Sequence, residues 1–419
     1  MITSFRNKNK HLGIDFFVTL TAISVFLCLS SRPVCAQPDP DELLKEAKLE
    51  YSEVRPPELL SLPILDKVEE YKDDLYNRFG TSVATALVYA NQVLLASKHN
   101  NGKDRSVGWF KIKINQDIWR GGKIELKLRG GSCGNGIDSL APSFSKFNKG
   151  AGRPATIYVS KLYLKQALFD DKVYLGAGRI SASHLFDRNV VANSAEKQFL
   201  SRALVHNLTI PFPSSGLGIE ARIKPLDWAY MSFGWANADS ESTMIRMRNP
   251  FYNSFCITEL GITPKIYDLQ GNYRFIYRWN RENLDRIDGY GIQKGDQGFA
   301  LSFDQQLTKK INVFFRYGIT DEKVRPIQNF WSMGGEVAGL IPGRELDVVA
   351  IGLAQSIAGH DYSEAYEHVS PETMIEMYYK IMVSEYLFVT PDLQILSNPD
   401  MDRKQKTAVA IGVKALLLF

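Results

Sequence analysis

From Thr81 to the C-terminus at Phe419, apolar and polar residues alternate with a period of two in one run after another. In INVFFRYGI, residues 311–319, every odd-numbered position is apolar, whereas Arg316 lies among the even-numbered ones. A period of two places successive side chains on opposite faces of a β-strand. Roughly sixteen such runs, separated by turn-rich segments, predict an all-β protein that is either a sandwich or a barrel.

Two features favour a transmembrane antiparallel β-barrel of about 16 strands over a soluble sandwich. Aromatic residues stand together near strand ends, as with Tyr277 and Trp279 or with Phe233 and Trp235. Such pairs suit the girdles that barrels place at the two lipid interfaces. The second feature is the end of the chain.

The chain ends in AVAIGVKALLLF, residues 408–419. Every second residue from Val409 to Phe419 is apolar, whereas the intervening set is smaller and includes Lys414. Within lipid every strand edge must be paired. We therefore expect this strand to close the barrel, with its apolar face toward lipid and Lys414 toward the pore. A terminal phenylalanine also resembles the signal read by the barrel-assembly machinery, so that machinery is an expected partner beside the lipid of the outer membrane.

The first 36 residues have the layout of a secretory signal peptide. A basic head precedes an apolar run from about Phe16 to Leu29, and the small residues Val34 and Ala36 follow. A membrane anchor is the alternative, but this run is shorter than the ~20 residues that a spanning helix needs. We predict export and cleavage before Gln37.

Residues 37–80 follow a helical period instead of alternating. The apolar face of the predicted helix consists of Leu65, Val68, Tyr71, Leu75 and Phe79. Gly80 follows as a C-terminal stop. The sequence thus predicts a helical periplasmic segment over 37–80 and the barrel over 81–419. The helix fits either an ordinary amphipathic surface helix or a cap or plug of the barrel.

Charge and cysteine content exclude several classes of partner. The signal peptide carries four bases and one acid, so its removal lowers the formal net charge from +4 to about +1. Nucleic acid is therefore a poor candidate partner. Of the four cysteines, Cys133 and Cys256 remain after cleavage, and they have no metal-ligand spacing. We expect no cofactor, and either one disulfide or two separate thiols fit this pair.

Four stretches, in order, resemble the carbohydrate-selective porin family of Gram-negative outer membranes, the OprB type. They are WRGGKI at 119–124, KLYLKQALFDDKVYLGAGR at 161–179, GLIPGRELD at 339–347, and Glu376 to Tyr379 followed by PDLQ at 391–394 and NP at 398–399. The resemblance implies a sixteen-stranded outer-membrane barrel that passes sugars by diffusion, with a homotrimer as one assembly. Where the family usually has acidic residues, this chain has Lys161 and Lys165.

The polar faces of the strands are mainly basic. Among the clearest inward-facing candidates, fourteen bases stand against five acids, so the predicted lumen is about +9 in a mature chain of about +1. A basic lumen lowers the barrier for anions. Alternatively, some of these bases pair with carboxylates of loops folded into the lumen. The residues expected to line the pore and contact solute are Trp109, Lys161, Tyr163, Lys165, Arg222, Arg274, Arg278, Arg316, Glu376, Tyr378 and Lys380.

The Gly- and Ser-rich stretch 130–154 is long for a connection within a hairpin. It is a candidate constriction loop, and an external loop is the alternative.

These patterns predict an outer-membrane porin for passive diffusion of sugars or sugar acids through a basic, aromatic-lined pore. A general anion-biased porin without sugar specificity is the alternative. A barrel enzyme is disfavoured, because it needs a nucleophile with a histidine base positioned beside it, and neither Ser183 with His184 nor His206 with Asn207 forms a persuasive constellation. A structural or adhesion barrel with a plugged lumen is the third alternative.

Overall fold

A computed structural model of the chain describes residues 62–132, 134–241, 243 and 253–419. The predicted signal peptide and the first part of the predicted helical segment, residues 1–61, lie outside these residues, as does Cys133. The described part begins with the helix α1 (Pro63–Phe79). It ends where Gly80 adopts a φ of 66°, a left-handed conformation that glycine takes without a steric cost. The predicted stop is therefore confirmed.

Antiparallel β-strands occupy most of the remaining described chain. They are β1 (Thr81–Ala96), β2 (Lys103–Trp119), β3 (Gly122–Gly131), β4 (Tyr158–Leu168), β5 (Val173–Ile180), β6 (Gly216–Leu226), β7 (Ala229–Asn237), β8 (Ser254–Ile262), β9 (Lys265–Ile266), β10 (Leu269–Asp285), β11 (Ile292–Gln306), β12 (Ile311–Thr320), β13 (Ile327–Ala338), β14 (Val348–Ala358), β15 (Glu372–Met382), β16 (Leu387–Ser397) and β17 (Ala408–Leu418). Two short helices, α2 (Arg202–Val205) and α3 (His360–Ala365), lie in connections.

The strands close into a barrel. Each long strand pairs with the next along the chain, β8 pairs with β10 across the two-residue β9, and β17 pairs with β1. At the closure Ala90 lies opposite Lys414, and the Phe419 amide donates to the Thr85 carbonyl at 3.1 Å. The described residues thus form a closed antiparallel barrel of 16 long strands, as the alternating pattern predicts. The apolar end of the chain is paired along its length.

The two faces of the barrel wall are reversed relative to a soluble protein. Large apolar side chains such as Phe275, Phe299 and Val413 are exposed on the outside. On the inside, Ser302, Arg316 and Glu376 are at most 1% exposed. An apolar outer face with a polar inner face is the arrangement that lipid outside a barrel requires. None of the helices in the described ranges is long and apolar enough to cross a membrane.

The two ends of the barrel differ in their connections. One end has short turns, such as 120–121, 227–228 and 383–386, whereas the other carries the long connections 132–157, 181–215, 359–371 and 398–407. In outer-membrane barrels the short turns face the periplasm.

The helix α1 lies at the short-turn end. The Tyr386 hydroxyl donates to Asp66 Oδ1 at 2.8 Å, and Gln116 Nε2 donates to the Phe79 carbonyl at 2.8 Å. The predicted apolar face of α1 packs only in part, because the helix rests on the rim of the barrel and not in its core. Leu65, Val68 and Leu75 are half-buried, whereas Tyr71 and Phe79 are exposed.

Candidate functional site in the barrel lumen

The first inserted segment, residues 134–157, folds into the barrel from the long-loop end. Inside the barrel, Asn148 Nδ2 donates to Gln92 Oε1 at 3.2 Å, and Gln394 Nε2 donates to the Phe147 carbonyl at 2.9 Å. The carboxylate of Glu372 on β15 accepts the Ser145 amide at 2.7 Å. The stretch that the sequence marks as a candidate constriction loop therefore does enter the lumen.

The second inserted segment, residues 181–215, is not predicted from the sequence to enter the lumen. It leaves the wall between β5 and β6 and reaches the far wall, where the Glu376 carboxylate on β15 accepts the amides of Leu200 at 2.6 Å and Ser201 at 2.8 Å. On β17, Lys414 Nζ donates to the carbonyls of Ala195 at 3.1 Å and Gln198 at 2.6 Å. The length of this connection, unusual for a barrel hairpin, was the signal that could have revealed it.

The two inserted segments bind each other and form an apolar core inside the barrel. The Lys149 amide donates to the Leu200 carbonyl at 2.9 Å, and the Ala203 amide donates to the Ser145 carbonyl at 3.1 Å. The core between them and the wall includes Phe147, Phe199, Leu204, Val205, Phe314, Phe330 and Met374. On the side of β12 to β17 the lumen is therefore filled with packed apolar side chains, whereas the sequence predicts a basic, aromatic-lined channel there.

Two predicted site residues, Lys161 and Lys165, come together around a carboxylate on β3. Glu125 lies 2.9 Å from Lys165, 3.3 Å from Lys161, 3.7 Å from Lys113 and 3.8 Å from Lys127. We call these five residues the lysine cage. Cross-strand register creates it, because Tyr163 lies opposite Glu125 and Lys161 opposite Lys127. Four lysines share one carboxylate, so the formal net charge of the cage is about +3.

Glu220 on β6 faces the cage from two strands away. Gly176 of β5 stands between Lys165 and Glu220 in the register, and a Cβ at Gly176 would lie 2.6 Å from the Glu220 Cγ. The Glu220 side chain is buried, and neither carboxylate oxygen has a hydrogen-bond partner among the described residues. Even with Glu220 ionised, the four lysines outnumber the two carboxylates on this wall.

Tyr163 connects the cage to the second inserted segment. Its ring lies 5.5 Å from Lys161 Nζ and 5.2 Å from Lys165 Nζ, and its hydroxyl is 3.2 Å from His184 Nε2. Burial and the Lys161 ammonium hold the pKa of His184 well below its usual range, so this imidazole is neutral. Since its Nδ1 lies 2.6 Å from the Ser181 carbonyl, Nδ1 carries the proton and Nε2 accepts from Tyr163. His184 thus has a structural role.

The predicted arginines are paired with carboxylates or hydroxyls. Arg274 Nη1 lies 2.8 Å from Asp304 Oδ2, and Arg278 pairs with Asp296, which also binds Arg325. These acids stand on the barrel wall itself. Much of the predicted positive charge in this part of the lumen is therefore neutralised within the wall.

Carboxylates of the second inserted segment neutralise further bases, as the alternative interpretation proposed. Arg316 Nε lies 2.9 Å from Asp187 Oδ1, and Lys111 Nζ lies 2.8 Å from Glu196 Oε2. Although burial opposes it, the charges of Lys111, Arg153 and Arg129 hold the pKa of Glu196 well below its usual range. Glu196 is therefore ionised beside its partners.

The remaining predicted site residues also lie on the inner face. Arg222 Nε donates to Ser232 Oγ at 2.8 Å. The Trp109 ring packs under the first inserted segment with the Arg153 guanidinium 5.4 Å away, and the Tyr378 ring meets Phe199 edge-on at 4.9 Å. Lys380 stands opposite Val348 at the short-turn end. Trp109, Tyr163 and Tyr378 are 2–3% exposed, so their rings are covered by neighbouring groups.

Comparison with known proteins agrees with this architecture. A family model described as "Carbohydrate-selective porin, OprB family" matches residues 124–419. Porin AaxA of Chlamydia trachomatis is 23% identical over 266 residues, which is 62% of this chain and 55% of that protein. Porin B of Pseudomonas aeruginosa is 21% identical over 333 residues, 67% of this chain and 72% of that protein. The chain thus spans about half the length of the AaxA relative.

Among solved structures, the high-pH structure of Pseudomonas putida OprB matches with a TM-score of 0.74. The match covers 84% of this chain and 97% of that chain at 17% sequence identity. At this identity the likeness concerns the fold.

Proposed function

Because the chain belongs to the carbohydrate-selective porin family of the OprB type, we propose that it lets sugars and sugar acids diffuse passively across the outer membrane through a basic lumen. Family membership makes it an outer-membrane porin and not an enzyme, and it confirms the resemblance seen in four sequence motifs. The proposal that sugars and sugar acids pass through a basic lumen is supported by the excess positive charge of the lysine cage.

The cage provides the weak, repeated contacts that a diffusing sugar needs. Lys113 and Lys165 keep 12% of their side chains exposed, and each ammonium carries three donors for hydroxyl or carboxylate oxygens. A solute bound by such groups is released readily, because each ammonium already has a partner in Glu125. The net charge of the cage favours an acidic sugar over a neutral one of equal size.

We assign an indirect role to the predicted aromatic residues. Tyr163 lies beneath Lys161 and Lys165, and Trp109 beneath Arg153, so the rings hold cationic groups by cation–π contact. In this proposal solute meets the charged groups, and the rings keep them in place.

A general anion-biased porin without sugar specificity is the competing proposal, and the same cage supports it. Swelling of liposomes that contain the purified protein distinguishes the two. We expect glucose and gluconate to enter faster than a non-sugar anion of similar size, and a potassium chloride gradient to give an anion-selective reversal potential. Equal rates for sugar and non-sugar anions would favour the general porin, and cation selectivity would contradict the lumen assignment.

Several parts of the proposal concern assembly. We propose that residues 1–36 are a cleaved signal peptide, that residues 37–80 form a periplasmic segment, and that the barrel-assembly machinery reads the strand ending at Phe419. A homotrimer is the proposed oligomer, and crosslinking of the protein in native membranes tests it.

A further inference from the structure

Three connections at the long-loop end form a joined surface over the inserted segments, which we call the loop cap (321–326, 359–371 and 398–407). The His360 amide donates to Glu322 Oε2 at 2.8 Å. The Ser370 amide donates to the Met401 carbonyl at 2.9 Å, and the Arg403 amide donates to the His368 carbonyl at 3.0 Å. These bonds hold the three loops to one another.

Two tyrosines stack on this cap, Tyr362 in α3 and Tyr366 directly after it. The rings of Tyr362 and Tyr366 lie 4.4 Å apart with 30° between their planes, and Phe144 of the first inserted segment meets Tyr362 edge-on at 6.4 Å. Tyr362 also packs against the apolar core of the inserted segments, which supports the stack from below. Tyr366 is 55% exposed. The outer ring of a supported stack therefore faces solvent at the extracellular mouth.

We propose that this tyrosine stack, Tyr362 with Tyr366, is a binding site for a pyranose ring that precedes passage through the lumen, an inference that rests on the proposed function. The apolar C–H face of a pyranose matches the flat outer face of Tyr366. Hydroxyl groups at the edge of the sugar need an acceptor, and a carboxylate is available nearby. Pockets for small ligands combine apolar faces with a few such polar groups.

Asp400 is a carboxylate close to the stack that can serve as such an acceptor. Asp400 is exposed, and its backbone is anchored where its amide donates to Glu372 Oε2 at 2.7 Å. The same Glu372 oxygen accepts the amide of Phe144 at 3.2 Å, and the Phe144 ring meets Tyr362 edge-on, so Asp400 lies close to the stack.

Aromatic rings beside carboxylates also suit organic cations. The lumen below argues for a sugar, because a cation leaving the stack would meet the net positive charge of the lysine cage, whereas a neutral ring would not. A quaternary ammonium ion is therefore the competing ligand in the test.

The test compares Tyr366→Ala, Tyr366→Phe and the control Tyr290→Ala, which removes an exposed tyrosine from the β10–β11 connection. Saturation-transfer NMR on the detergent-solubilised barrel measures the affinity for methyl glucopyranoside. We expect Tyr366→Ala to weaken binding about fivefold, and Tyr366→Phe and Tyr290→Ala to stay within about twofold of the wild type.

Unchanged binding in Tyr366→Ala would overturn the inference, as would binding of tetramethylammonium at the stack without measurable binding of the sugar. Liposome swelling of the wild type separates this result from the proposed function. If sugar binding depends on Tyr366 but the wild type passes no sugar, the binding site stands and the transport proposal fails. If the wild type passes sugar and Tyr366→Ala binds normally, the transport proposal stands and the binding-site inference fails.

Discussion

Glu125 is the residue on which the charge of the proposed pore depends. It is 1% exposed and neutralises one of the four lysines that surround it. A charge shared in this way keeps the ammonium groups together, although like charges repel at these distances. Its removal should therefore raise both the field in the lumen and the strain within the cage.

We expect Glu125→Gln to raise the anion-to-cation permeability ratio, roughly twofold to threefold at low salt, because the cage changes from about +3 to about +4. Lys165→Gln should lower the ratio by a similar factor. Reversal potentials of single channels measure both. Lys310→Gln, on an exposed lysine in the turn between β11 and β12, is the control for loss of a positive charge and should have little effect. A ratio unaffected by both cage variants would mean that solutes do not sense this cluster.

The inward direction of Lys161 and Lys165 follows from the period of two. That they share Glu125 as a partner does not follow from it. Register decides that partner, and register depends on how β3 and β4 align across a long inserted connection. Alternation likewise places Glu220 on the inner face, whereas its position beside the cage depends on the pairing of β5 with β6. Sequence therefore gives the face of each residue, and tertiary pairing gives its neighbours.

At the scale of elements, the inserted segments were the least predictable part of the molecule. The glycines and serines of residues 130–154 mark that stretch as a candidate constriction loop. Residues 181–215 have no regular period and no comparable composition signal. Phe199 and Leu204 are apolar residues in a connection, and their burial depends on strands more than a hundred positions away. Local pattern carries no information about such contacts.

The clamp that holds the second inserted segment can be loosened selectively. Glu376→Gln removes a charged acceptor from the Leu200 and Ser201 amides, and Lys414→Met removes the donor to two carbonyls. Hydrogen bonds to charged groups contribute about 1.5–3 kcal/mol each. We expect both variants to exchange the amide hydrogens of 195–205 at least tenfold faster, and to show larger or noisier single-channel conductance.

Lys310→Met, on an exposed lysine in the turn between β11 and β12, is the control for loss of a positive charge. Exchange rates at 195–205 that remain at wild-type values in both clamp variants would mean that the apolar core alone holds the segment in place.

At the scale of the whole molecule, a single periodicity predicts nearly the entire architecture. The repeated period of two gives the strands, the apolar outer face identifies lipid as the solvent, and the need to pair every edge implies closure. The strand count and the β17–β1 pairing agree with this reasoning. The period of two does not predict the packed core inside the lumen, because that core is built from connections that have no fixed period.

Closure at β17 leads to a prediction about assembly. Deletion of Phe419 removes the amide that donates to the Thr85 carbonyl and the ring beside Lys72, 6.0 Å from its Nζ. Since the rest of β17 keeps its pairing with β1, we expect the shortened chain to refold in detergent nearly as well as the wild type. In cells we expect its heat-modifiable barrel in the outer membrane to fall several-fold, because the assembly machinery would no longer read the terminal aromatic residue. Phe419→Tyr keeps an aromatic end and should assemble normally. Normal outer-membrane levels after the deletion would contradict the proposal that the assembly machinery reads Phe419. Poor refolding in detergent would instead mean that Phe419 contributes to the stability of the barrel.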